Sequence, residues 1–166
     1  NGGQYTHAAM WAIIAFAKLG FGDKALEYYR MINPIEHTRT KEAAIKYKQE
    51  PYVIPADIYG SNNLVGRGGW TWYTGSSSWF LNAGIENILG LKVENEILKL
   101  EPCIPKKWEE YSIKYRYNTS IYNIKIKNPN GKNSGVKEFY LNGNKIEEKQ
   151  IKLKDNKTIN EIEIIL

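Results

Sequence analysis

The chain has 166 residues and a mass of 19.1 kDa; with 42% hydrophobic and 25% charged residues it is globular, which excludes a disordered tail or a low-complexity linker. That length holds one domain or two small ones. The net charge of +5 is uneven, with 10 basic and 9 acidic side chains in residues 1–100 against 13 and 9 in residues 101–166, but the lysines stand singly, which argues for a solvated β surface and against nucleic acid as a partner.

Residues 7–19, HAAMWAIIAFAKL, contain neither Pro nor Gly and are apolar nearly all round, the pattern of a buried helix that Gly20 stops. Asp23 is placed to cap a second helix whose Ala25, Leu26, Tyr29 and Ile32 recur at helical spacing, and Asn33-Pro34 ends it. A short helix is expected around 41–48, bracketed by Thr40, Glu42 and Glu50. Residues 50–75 then read as a long ordered loop with two prolines, five glycines and five aromatics, and such loops inside a compact domain are usually functional. Ser76, Ser77 and Ser78 offer caps for a third helix that carries Trp79, Phe80, Ala83, Ile85, Ile88 and Leu89 and stops at Gly90. Beyond it the period falls from 3.6 to 2. Strands are expected at 97–100, 111–117, 119–127, 136–141, 151–154 and 159–166, separated by turn signals at Asn128-Pro129-Asn130-Gly131, Asn142-Gly143 and Asp155-Asn156. An α half is thus followed by a β half with the outline of a sandwich, the boundary falling near residues 92–102. A helix apolar on every side cannot be buried by three neighbours, so the α half needs partners from outside these residues. The same exposed surface would also favour self-association, including a homodimer.

Two segments can build a polar site: Asn1 to His7, leading into the first helix, and Gly66 to Ser76, leading into the third. Helix starts carry unpaired N–H groups and partial positive charge, and glycine lets an anion come close. A serine-capped helix is nevertheless common, and a lone histidine at a helix start is more often structural than catalytic. Four of the five tryptophans, Trp11, Trp70, Trp72 and Trp79, lie in the first 80 residues, where their rings suit either core packing or stacking on sugars. His37 reads as a structural residue on a surface turn. No metal-ligand spacing, nucleophile elbow or phosphate loop occurs, so neither a metal nor a cofactor is expected. Cys103 is the sole cysteine and excludes an intramolecular disulfide. No apolar run reaches the ~18 residues of a membrane helix. The chain opens on Asn1-Gly2-Gly3-Gln4, with no Met and no leader; it reads as a piece of a longer protein, with the cytoplasm as the expected compartment.

The series NGGQYTHAAMWAIIAFAKLG, INPIEHTRT, EPYVIPADIY, GRGGWTWYTGSSSWF, ILGL and LEPCIPKKW resembles, in order, the C-terminal third of the inverting β-glucoside phosphorylases of glycoside hydrolase family 94. That family holds cellobiose and chitobiose phosphorylases and the phosphorylase-like part of cyclic β-1,2-glucan synthases, and the wording around Gln4, Ala8-Ala9 and Trp70 to Tyr73 looks nearest the last branch. The resemblance covers about residues 1–127. It implies a two-part α+β chain: residues 1–92 as the terminal helices of an (α/α)6 barrel, residues 93–166 as an antiparallel β-sandwich. It also implies a reaction in which phosphate attacks a β-linked glucosyl unit and releases α-glucose 1-phosphate, so that one carboxylic acid suffices.

By motif, the family's phosphate contacts fall on His7, Thr74 and Gly75, and sugar contacts on Gln4 and Tyr73. Phosphate is then a co-substrate, β-linked glucans or glucosides are the other partners, and no cofactor is required. The family's catalytic aspartate and phosphate arginine have no motif equivalent here, and Arg67 does not replace the latter. The 166 residues alone are therefore expected to be inactive, with the rest of the barrel missing upstream. Ala56 stands where cellobiose phosphorylases carry a sugar-site glutamine, which favours another linkage such as β-1,2. A non-catalytic carbohydrate-binding or interaction module is the competing expectation.

Overall fold

A computed structural model describes residues 2–72 and 75–166. A two-residue strand, β1 (Gln4–Tyr5), leads directly into α1 (Thr6–Lys18). Thr6, Met10, Ile13 and Ala17 recur at 3–4 spacing and face inward, while Ala8, Trp11, Ala12 and Ala15 face outward and are exposed. This chain therefore buries only one side of the helix whose sequence is apolar on all sides. Gly20 takes φ +81° and turns the chain back, so that α2 (Gly22–Ile32) packs along α1 with Ala25 and Ile32 buried.

Asp23 does not cap α2 as expected. Phe21 stands at that position without a capping side-chain bond, and Asp23 lies inside the first turn. Its carboxylate instead reaches the β half, accepting from the Lys106 backbone N–H at 3.2 Å and from the Asn133 side chain at 2.9 Å. A carboxylate in the first turn still favours the helix through its dipole, so one group serves both purposes. Gly22 is needed for the same approach: a Cβ there would stand 2.2 Å from the Ile104 carbonyl oxygen.

Asn33 caps a one-turn helix, α3 (Pro34–His37), accepting from the Ile35 N–H at 3.0 Å. His37 thus sits on a helix and not on an open turn. Its ring stacks on Tyr47 at 4.9 Å and its Nε2 pairs with the Met31 carbonyl. Thr40 caps α4 (Lys41–Tyr47) as its sequence predicts, accepting from the Ala43 N–H at 3.2 Å. After β2 (Asp57–Ile58) comes α5 (Ser76–Asn82), whose last turns widen into a π-helix over Ala83–Ile88. None of the three serines caps α5. Gly75 holds the cap position because the helix begins one residue earlier than a serine cap requires.

The β half contains β3 (Leu91–Glu94), β4 (Ile97–Leu100), β5 (Glu110–Tyr117), β6 (Ser120–Lys127), β7 (Glu138–Leu141), β8 (Asn144–Ile146), β9 (Gln150–Lys152) and β10 (Ile159–Ile165). They form a sheet ordered β5-β6-β10-β7-β8 and a smaller one ordered β3-β4-β9. The pairing is antiparallel except at its centre, where β10 runs parallel to β6 in register Ile162↔Ile124. This departs from a purely antiparallel sandwich: three strands intervene in the chain between β6 and β10, and that crossover brings β10 back in the same direction. Tyr122, Ile124, Ile126, Phe139, Ile162 and Ile164 from the larger sheet share one apolar cluster with Leu98, Leu100 and Ile151 from the smaller and with Met10, Ile13 and Ala25 from the helices. The outer strand positions carry half-exposed pairs such as Lys127–Glu163 at 2.7 Å. Each such pair adds about 0–1 kcal/mol, and the scattered lysines are surface charge.

Candidate functional site

The two polar segments singled out from the sequence flank one extended stretch. Gln4 pairs with Ile58 and Tyr5 with Asp57, while on its other side Ile58 bridges Gly68. Backbone bonds from Ala56 N–H to the Trp70 carbonyl (2.7 Å), Gly69 N–H to the Asp57 carbonyl (2.8 Å) and Tyr59 N–H to the Arg67 carbonyl (2.9 Å) extend this platform. Two strand spacings put Gln4 and Gly68 about 10 Å apart. The Thr6 N–H, one of the four that the start of α1 leaves without a helical partner, donates to the Ala56 carbonyl at 2.9 Å. Gly60 makes room for the N-terminal segment, since a Cβ there would meet the Gly2 carbonyl oxygen at 2.1 Å.

His7 is the second residue of α1 and is half-buried. Three rings surround it: Tyr5 roughly parallel at 6.4 Å, Trp11 edge-on at 5.3 Å and Trp79 tilted at 5.8 Å. Trp11 and Trp79 also meet each other edge-on at 6.3 Å. Among the described residues the His7 imidazole makes no hydrogen bond. Trp79 is one turn into α5, and its N–H donates to the Gly75 carbonyl at 3.2 Å. The start of α1 and the start of α5 therefore meet through the His7–Trp79 contact. Gly75 has φ −72° and ψ 10°, which any residue adopts, and a Cβ built there would meet, chain neighbours aside, nothing within 4 Å among the described residues.

Thr74 and Tyr73 lie outside the described residues. Gln4 is half-buried, with both side-chain amide atoms inaccessible and unpaired among the described residues, and the fully buried Thr6 hydroxyl is likewise unpaired. With Tyr5 extended between them, the two side chains share one face. Leaving a buried polar group without a partner costs about 1–3 kcal/mol. Trp72 takes φ +59°, a conformation that costs a bulky residue about 1–2 kcal/mol.

Other chemistry is sparse. No three His, Cys, Asp or Glu side chains among the described residues are grouped to hold a metal. Burial pushes the Cys103 thiol up to about 11, so it is a packed thiol and not a nucleophile at neutral pH. A cleft of about 350 Å³ at the junction of the two halves is lined by Lys18, Glu86, Lys92, Glu101 and Ser134, and it includes none of the residues selected from the sequence. No helix among the described residues is long and apolar enough to cross a membrane. What the sequence reading missed is the pair of indoles around His7. The Trp11 contact was available as an i, i+4 spacing, but the Trp79 contact, 72 positions away, was not.

Residues 1–90 match the model of the glycosyl hydrolase 94 superfamily catalytic domain, and residues 91–132 match that of the glycosyl hydrolase family 65 C-terminal domain. The cyclic β-(1,2)-glucan synthase NdvB of Rhizobium meliloti (strain 1021) is 46% identical over 126 residues, 76% of this chain and 4% of that protein. The N,N'-diacetylchitobiose phosphorylase of Vibrio furnissii is 34% identical over 148 residues, 89% of this chain and 18% of its own length. The solabiose phosphorylase of Paenibacillus borealis is 29% identical over 153 residues, covering 88% and 19%. The chain thus spans less than a fifth of the curated relatives it matches. With more than half of its residues inside the catalytic-domain model, it belongs to the glycosyl hydrolase 94 superfamily, a family of carbohydrate-active enzymes.

Proposed function

We propose that this chain is one part of an enzyme that carries out inverting phosphorolysis, or the reverse synthesis, of β-linked glucans or glucosides, with β-1,2-glucan as the glucan type. In this reading residues 1–92 are the last helices of an (α/α)6 barrel and residues 93–166 its β-sandwich. His7, Thr74 and Gly75 hold the phosphate, and Gln4 and Tyr73 touch the sugar. A phosphate oxygen bonds to the anomeric carbon as the glycosidic C–O bond breaks. The departing sugar oxygen takes its proton from a carboxylic acid, and α-glucose 1-phosphate is the product. An imidazole N–H, a hydroxyl and a backbone amide suit a dianion that only accepts hydrogen bonds.

The observation that carries the reading is the meeting of the two helix starts at His7 and Trp79, 5.8 Å apart. The space in front of Gly75 supports it, since neither its backbone nor packing by the described residues demands glycine there. The exposed row Ala8, Trp11, Ala12 and Ala15 supports a barrel completed by further helices. The β-1,2 assignment draws on the likeness to the glucan synthase and on Ala56. The proton-donating acid is assigned to no residue of this chain, so the 166 residues alone should release no glucose 1-phosphate from β-1,2-glucan and phosphate. In a longer protein that contains them, His7→Ala should depress phosphorolysis by about 100-fold or more, the cost of losing a transition-state donor. Unchanged phosphate kinetics would remove His7 from the site.

A second reading, a non-catalytic carbohydrate-binding or interaction module, is favoured by Tyr52, Trp70 and Trp72, residues that are 75%, 70% and 79% exposed. Exposed flat rings can stack on sugar faces. Calorimetric titration with β-glucans separates the readings: binding lost in Trp72→Ala but kept in His7→Ala would favour the module.

A further inference from the structure

We propose that Trp79, assisted by Trp11, is a positioning residue that fixes the His7 imidazole for oxyanion binding and ties it to the turn that begins at Gly75. The proposal rests on the reading of His7 as a phosphate ligand and adds what holds that ligand in place.

A histidine that binds an anion by one ring nitrogen must have its ring plane set, because rotation about the Cα–Cβ and Cβ–Cγ bonds moves the nitrogen by several ångströms. Such rings are commonly fixed by a hydrogen bond to the second nitrogen. His7 has no such bond among the described residues, and rings hold it instead. Trp11, one helical turn further along α1, meets it edge-on at 5.3 Å; Trp79, from α5, closes at 5.8 Å; Tyr5 lies roughly parallel at 6.4 Å. The two indoles brace each other at 6.3 Å with their planes 80° apart.

These are not core positions. Trp11 is 58% and Trp79 39% exposed, whereas the residues that hold the helices together, Met10, Ile13 and Ala83, are fully buried. Side chains on a helix lean toward its N-terminus, and the Trp79 N–H donates to the Gly75 carbonyl, so the residue whose ring contacts His7 is also bonded to the turn that starts at Gly75. Trp11 and Trp79 occupy one side of the His7 ring, so a phosphate would meet it on the side they leave free.

The test is proton NMR of the full 166-residue chain, in which the only two histidines, His7 and His37, are told apart by the spectrum of His7→Gln. Titration with inorganic phosphate, with chloride holding the ionic strength, should move the His7 ring resonance and leave that of His37 in place. Trp79→Leu should weaken the apparent phosphate affinity at least fivefold, and Trp79→Phe should restore most of the loss. Equal affinity in Trp79→Leu, with the amide resonances of β6 and β10 unchanged, overturns the positioning role and leaves the phosphate reading standing. If the wild-type His7 resonance ignores phosphate while its cross-peaks to both indoles persist, the phosphate reading fails and takes the proposal with it. Should Trp79→Leu unfold the helices, Trp11→Leu carries the same test, since Trp11 is largely exposed and its loss opens no core cavity. The same affinity in Trp11→Leu as in wild type would then overturn the proposal.

Discussion

Replacing Gly75 by alanine separates a glycine kept for the fold from one kept for a ligand. At φ −72° and ψ 10° alanine meets no conformational barrier, and among the described residues, chain neighbours aside, its methyl group would have no heavy atom within 4 Å. Two opposing terms remain. Alanine is a poorer helix cap than glycine by roughly 1 kcal/mol, while losing glycine's freedom in the unfolded chain returns about 0.4–1 kcal/mol. They nearly cancel, so stability should change by less than about 0.5 kcal/mol. The proposed phosphate site is different: if it is correct, a methyl at the cap position would occupy the volume through which an oxyanion approaches the first amides of α5, and phosphate affinity should fall at least tenfold. Urea unfolding followed by tryptophan fluorescence reads the first quantity, and the phosphate titration of the His7 resonance reads the second. A stability loss above about 1 kcal/mol would mark Gly75 as structural. Unchanged phosphate affinity would refute the site.

Gly22→Ala makes the opposite forecast, because its Cβ would stand 2.2 Å from the Ile104 carbonyl oxygen and α2 must shift by about 1 Å. Overpacking of that kind costs about 1–3 kcal/mol; a melting temperature lowered by roughly 2–12 °C is expected for a chain of this length, and an unchanged one would contradict the close approach. Tyr47→Phe should stabilise by about 1 kcal/mol, because the hydroxyl it removes is buried and, among the described residues, unpaired; urea midpoints at pH 7 check it, and a loss of stability would reveal a partner. Burial, with the charge of Glu50 adding to it, pushes the Tyr47 hydroxyl up to about 12, and burial does the same for Tyr29. Unfolded tyrosines ionise near 10, so this contribution is whole below pH 10 and is lost as pH rises toward 12. Tyr47→Phe should therefore flatten the alkaline fall in the unfolding midpoint.

The elements that were legible from the sequence are those set by local rules. Thr40 caps α4, Gly20 ends α1 with a positive φ, and Asn142-Gly143, both at positive φ, close the β7–β8 hairpin as such a pair should. The change of period from 3.6 to 2 marked strands from Ile97 onward, but the short strand β3 that precedes them, Leu91–Glu94, was not read from it. What was not legible depends on distant chain. Asp23 looks like a cap until Lys106 and Asn133 arrive to take its oxygens. The parallel pairing of β6 and β10 follows from a crossover that no strand pattern encodes, and the two-residue strands β1 and β2 are too short to have a period at all.

The candidate site follows the same division, and α1 shows why. Its sequence is apolar on every side, and the described chain covers only the side that carries Met10, Ile13 and Ala17. His7 stands at the edge of the outward row Ala8, Trp11, Ala12 and Ala15, one turn before Trp11, so the proposed phosphate site and the unfilled face share a border. A helix in this position would have two reasons to be apolar: one face holds the fold described here, and the other would meet whatever encloses the proposed site. In the barrel reading these are a single requirement, because helices that covered Ala12 and Ala15 would also wall the space in front of His7 and exclude water from it. Adding such a segment to the chain should therefore quench the exposure of Trp11 and tighten phosphate binding together. A gain in one without the other would separate the apolar face from the site.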